Sequence, residues 1–280
     1  MKTIAITGSS GFVGQNLIQF FENKNYEVIS IKRDYLKDEN KLLEIISKSD
    51  VIINLAGANI INRWTDSYKK LLYSSRIDTT KSIVNAINKT EKKPEILIST
   101  SAIGVYDNKS TYDESAHLNN DFLANLGKDW EDEAKKAQIP VAIFRFGIVL
   151  GKNGGALDKM LLPFKLGVGG VIGSGNQAFS FIHIEDLLNA YEHVIENKLD
   201  GTFNLVSPTP TTNKGLTKAL GKYLHRPTIF PVPEFMLKLI FSEGAKILTD
   251  GQSVVPKKLL DNNFKFKYEN IEQAIENLVK

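Results

Sequence analysis

Cysteine is absent from the 280 residues. That excludes disulfide staples, thiolate metal ligands and thiol nucleophiles. A dominant charge is absent too: 35 Lys and Arg face 32 Asp and Glu, a net charge of +3. There is no basic stripe of the kind nucleic-acid readers carry, and "EKKPE" and "PKKLLD" read as solvated surface. No run approaches the roughly 18 apolar residues of a membrane span. The opening "MKTIAITGSSGFVG" breaks at glycines too soon for a signal segment. A cytoplasmic protein with no nucleic-acid or membrane partner is expected, as a monomer or homodimer. The four histidines are scattered. No His/Asp/Glu set has ligand spacing, so no metal site is expected.

What is present is an alternation of apolar runs and amphipathic segments. "KTIAIT" (2–7), "YEVISIKR" (26–33), "DVIINLAG" (50–57), "PEILISTSA" (94–102) and "PVAIFRFGIVLG" (140–151) read as buried parallel strands. Helical spacing separates them, as in "GFVGQNLIQFFENKN" and "SYKKLLYSSRIDTTKSIVNAINKT" (67–90). The pattern predicts an α/β fold, a Rossmann-type doubly wound parallel sheet, with a smaller mixed C-terminal domain. Residues 1–160 and 178–208 are assigned to the sheet domain, and 161–177 and 209–280 to the smaller substrate domain. "LGVGGVIGSGN" (166–176) reads as a glycine-rich loop or short hairpin, and the tail after Thr211 as mostly helical.

The first strand runs into "TGSSGFVG", with Gly8, Gly11 and Gly14 at the strand-to-helix junction. Gly8 permits a tight turn, Gly11 admits a pyrophosphate against the backbone, and Gly14 lets helix and strand meet closely. The helix start adds free N–H donors and the positive end of a dipole. At the end of the second strand stand Lys32 and Arg33, with Asp34 beyond. A guanidinium there suits the 2′-phosphate of NADP. NADP(H) is therefore the expected cofactor, with NAD(H) as the alternative should Asp34 reach the ribose.

"TGSSGFVG", "INLAGA", "ISTSAIGVY", "FRFGIVLG" and "FSFIHIEDLLNA" together resemble an extended short-chain dehydrogenase/reductase of the NAD-dependent epimerase/dehydratase superfamily. "NRWTDSYKK", "GKNGGALDKMLLPFKLGVGG" and "EGAKILTDGQSVVPKKLLDNNFKFKY" extend the resemblance to an atypical, epimerase-like subgroup with an extra small C-terminal domain, named for sugar-nucleotide epimerases. The resemblance implies that Gly8, Ser9, Ser10, Gly11, Phe12, Val13 and Gly14 cradle the pyrophosphate, and that Lys32 and Arg33 meet the 2′-phosphate. It places Leu55, Ala56 and Gly57 beside the adenine and ribose. It puts Ser101, with Thr100 as its neighbour, where a hydroxyl stands beside nicotinamide and substrate. A small polar, sugar-like or nucleotide-linked substrate and hydride transfer are expected from it.

Typical members of that family pair a tyrosine acid/base with a lysine four residues on. None of the nine tyrosines here has that lysine. Aligning on Glu131 puts Leu123 and Gly127 at the two positions; a shift of one gives Ala124 and Lys128. Tyr106 is the candidate for a substitute proton donor, with packing on its own loop as the alternative, and Ser101 would orient the substrate. Arg63 and Trp64 in "INRWT" either bind substrate, Arg63 clamping an anion and Trp64 stacking on it, or form a loop anchored by a half-buried tryptophan; Lys165 either faces an anionic substrate or is ordinary surface. His183 reads as a structural hydrogen-bonder, and Asp186 as the cap of the following helix. Two functions remain open: an NADP-dependent oxidoreductase or epimerase, and a catalytically silent dinucleotide-binding regulator or redox sensor.

Overall fold

The apolar runs become strands because burial on both faces satisfies them: every residue of "TIAIT" (3–7) and of "VIIN" (51–54) is buried. In the computed structural model, which describes residues 1–280, the chain runs β1 (Thr3–Thr7), α1 (Phe12–Glu22), β2 (Glu27–Ile31), α2 (Glu39–Lys48), β3 (Val51–Asn54), α3 (Asp66–Lys89) and β4 (Ile96–Ala102). It continues through β5 (Thr111–Tyr112), α4 (Phe122–Ala134), β6 (Val141–Phe146), β7 (Ile148–Leu150), α5 (Gly155–Lys165), β8 (Phe181–His183), α6 (Ile184–Glu196) and β9 (Gly201–Leu205). The tail holds α7 (Asn213–Leu224), α8 (Glu234–Phe241), α9 (Lys246–Thr249), β10 (Ser253–Val254), α10 (Lys257–Asp261) and α11 (Ile271–Val279).

Six strands form one sheet in the order β2-β1-β3-β4-β6-β9, and each neighbouring pair is parallel. The order reverses between β1 and β3, which opens a crevice at the carboxyl ends of those strands. One face of the sheet packs Ile4, Ile6, Ile98 and Phe144 against Leu17 and Phe21 of α1 and Leu187 and Val194 of α6. The other packs Ala5, Ile52, Leu97 and Ile143 against α2, α3 and Ala134 of α4. A separate core joins α5, α7 and α11 through Leu157, Leu216, Leu220 and Ile275. Leu259 and Phe264 from the tail return to the first core.

The single strand expected over 140–151 is two strands. Phe146 still pairs with Leu205, but the Ile148 N–H donates to the Ser180 carbonyl, and β7 continues in a separate ladder with β8. The glycine-rich stretch forms no hairpin of its own; Gly170 and Ile172 bridge to Ile229 and Val232 of the tail. The tail also contributes β10, which pairs with β5.

Candidate functional site

The turn between β1 and α1 is set by its glycines. Gly8 has φ +66°, and a side chain there would touch the Leu55 backbone at 3.0 Å. A Cβ on Gly14 would stop 2.4 Å from the Gly8 carbonyl oxygen, so helix and turn meet backbone to backbone. The Gly11 N–H donates to the Gly8 carbonyl at 3.0 Å and closes the turn. Helices α2, α3 and α4 have side-chain caps from Asp38, Thr65 and Asp121. Helix α1 has none, and no acidic residue in its first turn. Its leading N–H groups are thus offered to an outside acceptor. Ser9, Phe12 and Val13 are half-buried around this opening, and Ser10 is exposed.

Lys32 and Arg33 are exposed just past β2, one strand away from the turn. Arg33 has no carboxylate partner, while the Lys32 ammonium lies 6.0 Å from the centre of the Tyr35 ring. Across the crevice, the loop Leu55–Ala56–Gly57 is held from below. Thr7 Oγ1 donates to Asn54 Oδ1 at 2.7 Å and accepts from the Leu55 N–H at 3.1 Å. Asn54 Nδ2 donates to Thr80 Oγ1, which also receives Trp130 Nε1.

Arg76 completes this floor and was not singled out by sequence reasoning. Its guanidinium donates to the carbonyls of Leu72 and Ala58, lies 5.2 Å from the Trp130 ring centre, and backs directly onto Gly57. No carboxylate neutralises it. Burial pushes its pKa down to about 10. The signal in the sequence was an arginine in the middle of α3, a position that only packing brings behind the 55–57 loop.

Ser101 stands at the end of β4, 1% exposed, and its hydroxyl donates to Glu131 Oε1 at 2.8 Å. Glu131 in turn holds Arg145 through two hydrogen bonds, of 2.7 and 2.8 Å. Burial alone would lower the Arg145 pKa; the hydrogen bonds and charge of Glu131 reverse that and raise it. Arg145 Nη1 also donates to Tyr106 Oη at 2.6 Å, and Tyr106 donates to Asn204 Oδ1 at 3.0 Å.

Several expectations change here. Tyr106 is 1% exposed and its hydroxyl has two partners inside the molecule. Burial raises its pKa against the pull of Arg145. This is a core position, not that of a proton donor facing a cleft. The Ser101 proton is likewise directed at Glu131. Thr100 lies on the other face of β4, where its buried hydroxyl stands beside that of Tyr191 and meets no other polar group. Trp64 is an anchor: it is buried, its Nε1 donates to the Ile60 carbonyl at 3.0 Å, and its ring lies 5.3 Å from that of Phe122. Arg63 and Lys165 are exposed and form no ion pair. Asp186 does not cap α6; it accepts the N–H groups of Lys267 and Tyr268, while His183 Nδ1 takes the capping role.

The register of α4 is also settled. A Cβ on Gly127 would lie 2.4 Å from Val105 Cγ1 and 3.8 Å from Ser101 Oγ, and Leu123 packs against Gly104. Leu123 and Gly127 therefore face the end of β4, whereas Ala124 is buried and Lys128 is exposed. Two open depressions, of about 420 Å³ beside Thr111 and Gly251 and about 510 Å³ beside Lys152 and Asn277, include none of these residues.

The doubly wound sheet and its glycine turn define a Rossmann-type protein of the short-chain dehydrogenase/reductase kind. Known proteins give the same answer. A model of the NAD dependent epimerase/dehydratase family matches residues 4–205, and a domain of unknown function, DUF1731, matches residues 232–278. The chain belongs to the NAD dependent epimerase/dehydratase family. It is 36% identical to the mouse epimerase family protein SDR39U1 over 99% of both chains. It is 35% identical to the Arabidopsis thaliana SDR39U1 homolog, a chloroplastic protein, over 98% of this chain and 85% of that one. The crystal structure of human SDR39U1 (isoform 2) with NADPH is similar to it with a TM-score of 0.91 and 30% identity, covering 99% of both chains. No helix is long and apolar enough to cross a membrane.

Proposed function

We propose that this chain binds NADP(H) and acts on a small carbonyl-bearing molecule as an oxidoreductase or epimerase, with NAD(H) as the weaker cofactor. One observation carries the proposal. An uncapped helix start over a three-glycine turn sits on β1 between two strands that are each followed by a guanidinium without a carboxylate of its own: Arg33 just past β2, and Arg76 behind Gly57 past β3. The arrangement fits a pyrophosphate and a 2′-phosphate. The NADPH held by the human relative supports the same reading.

The roles follow from the geometry. The N–H groups of α1 would hold the pyrophosphate. Arg33 would meet the 2′-phosphate, Arg76 would neutralise a phosphate from behind Gly57, and Leu55 and Ala56 would border the adenosine. The bound nicotinamide would supply or accept hydride at the end of β4. Ser101 would shape that end through Glu131 rather than donate a proton, because its own proton is engaged. A cytoplasmic site of action belongs to the same proposal.

A second reading, the silent regulator, draws on one observation: Leu123 and Gly127 provide neither an acid nor a cation at the dyad positions. A titration with NADPH and NADH, followed by nicotinamide fluorescence and melting temperature, tests the cofactor. Tight NADPH binding is expected; failure to bind either nucleotide would sink both readings. NADPH consumption with any carbonyl substrate then decides between them.

A further inference from the structure

Of the thirteen large apolar side chains that the molecule leaves exposed, nine fall in two stretches, 162–168 and 229–240. The two lie side by side. Gly170 bridges antiparallel to Ile229, the Val232 N–H donates to the Val171 carbonyl at 2.8 Å, and Arg226 Nε donates to the Lys165 carbonyl at 3.1 Å. Leu162, Leu166 and Val168 are exposed at the end of α5 and just past it, and Ile229 and Phe230 on the adjoining segment. Helix α8 follows directly. Six of its eight residues are apolar and none is buried; Leu239 is 73% exposed. A helix apolar on nearly every side belongs in an interior. Nine such side chains, showing on the order of 100 Å² each, exceed the roughly 300–600 Å² of an ordinary monomer's largest apolar patch.

Charge distinguishes what can cover this face. Residues 159–171 and 225–242 hold four cations, Lys159, Lys165, Arg226 and Lys238, and one acid, Glu234. That is the whole net charge of +3, since the remaining 31 cations and 31 acids cancel. All four cations are exposed, and Glu234 is matched within its own helix by Lys238 at 3.9 Å. A second copy of the chain, meeting the same face about a twofold axis, would set these cations against their own kind. An anionic apolar surface has the opposite effect: it satisfies the side chains and the charge together.

We propose that this face docks the protein on the surface of an anionic phospholipid bilayer. The exposed side chains of α8 and of the paired segments enter the boundary between headgroups and acyl chains, and the cations meet lipid phosphates and carboxylates. Lys238, set among apolar residues on α8, keeps its ammonium at the headgroups while its stem lies with its neighbours. The lack of a spanning helix bears on crossing a bilayer, not on lying against one.

The test is flotation of the full chain with vesicles of phosphatidylcholine alone, and of phosphatidylcholine with about one-third phosphatidylserine. Saturable binding to the mixed vesicles is expected, about tenfold or more tighter than to phosphatidylcholine alone and weakening as salt rises. Leu239→Ser, which changes no charge, should weaken it about tenfold. Ile229→Ser should act in the same sense and serves if Leu239→Ser does not fold. Arg226→Gln should cost about fivefold on the mixed vesicles and nothing on neutral ones. Leu71→Ser, at an exposed position on α3 away from these segments, should change nothing. Binding to neither vesicle overturns the proposal. So does binding indifferent to both Leu239→Ser and Ile229→Ser, which would be attraction by charge alone. Sedimentation velocity without vesicles supplies the last outcome: a dimer that Leu239→Ser dissociates would give the face to a second copy and overturn the proposal.

Discussion

Gly14 and Gly127 sit in equally tight places: a Cβ on either would stop 2.4 Å from its nearest neighbour. At Gly14 that neighbour is the Gly8 carbonyl oxygen, and at Gly127 it is the Val105 side chain. The first region is therefore shaped by backbone against backbone. Its chemistry lies in N–H groups that every residue carries, so three correctly spaced glycines are enough to make it. The second is shaped by side chains, and its chemistry depends on which ones are present. The cofactor edge keeps a three-glycine turn and an uncapped helix start. The α4 edge presents Leu123 and Gly127, neither an acid nor a cation, to the end of β4, and its polar groups turn inward around Glu131 and Arg145.

The two regions should respond to mutation in different currencies. The largest effect is expected at the inward-turned network. Arg145→Met takes the two-pronged partner from buried Glu131, leaving it the Ser101 hydroxyl and Lys135 at 3.8 Å, and should cost about 3 kcal/mol of stability in denaturant unfolding. NADPH affinity should barely move in whatever fraction remains folded; a large affinity loss would mean that the two regions are not separate. Next comes Gly14→Ala, which forces helix and turn apart and should weaken NADPH binding about a hundredfold. Its counterpart Gly127→Ala pushes on a side chain that can yield. It should cost about 1–2 kcal/mol of melting stability and leave NADPH affinity nearly unchanged.

A pH titration adds a region remote from both. Burial lowers the pKa of His183 to about 4, with its ring stacked 3.7 Å from Tyr268 and its Nε2 against Asn277. Above pH 6.5 the folded and unfolded chains both hold it neutral. As the pH falls from about 6.5 to 4, only the unfolded chain takes the proton, so stability drops by about 2 kcal/mol. His183→Gln should flatten that part of the curve. The smallest effect is expected of Arg33→Ala, an exposed side chain. It should weaken NADPH about tenfold and leave NADH unchanged, removing the preference between them.

Much of the cofactor edge was legible in residue order because its elements are local. A strand, a glycine turn and a helix follow one another within Thr3–Glu22, and their spacing alone specifies the turn. Arg76 was not legible, since 18 residues, a loop and the first turns of α3, separate it from the Gly57 backbone it supports. The division of 140–151 into β6 and β7 was equally hidden. An unbroken apolar run carries no mark of which strand each half will meet, and the second half meets β8.

The α4 edge shows the limit most sharply. The absence of a tyrosine followed by lysine could be read directly. That Tyr106 lies in the core could not, because its partners Asn204 and Arg145 come from strands far along the chain. Sequence by itself determined the alternating architecture, the glycine cradle and the missing dyad, because each is a matter of local spacing or residue identity. Tertiary structure alone decided which hydroxyls face inward, which arginine stands behind Gly57 without a carboxylate, and that Ile247 of α9 packs with Trp64 and Leu126. Those outcomes depend on burial and on partners brought together from distant parts of the chain.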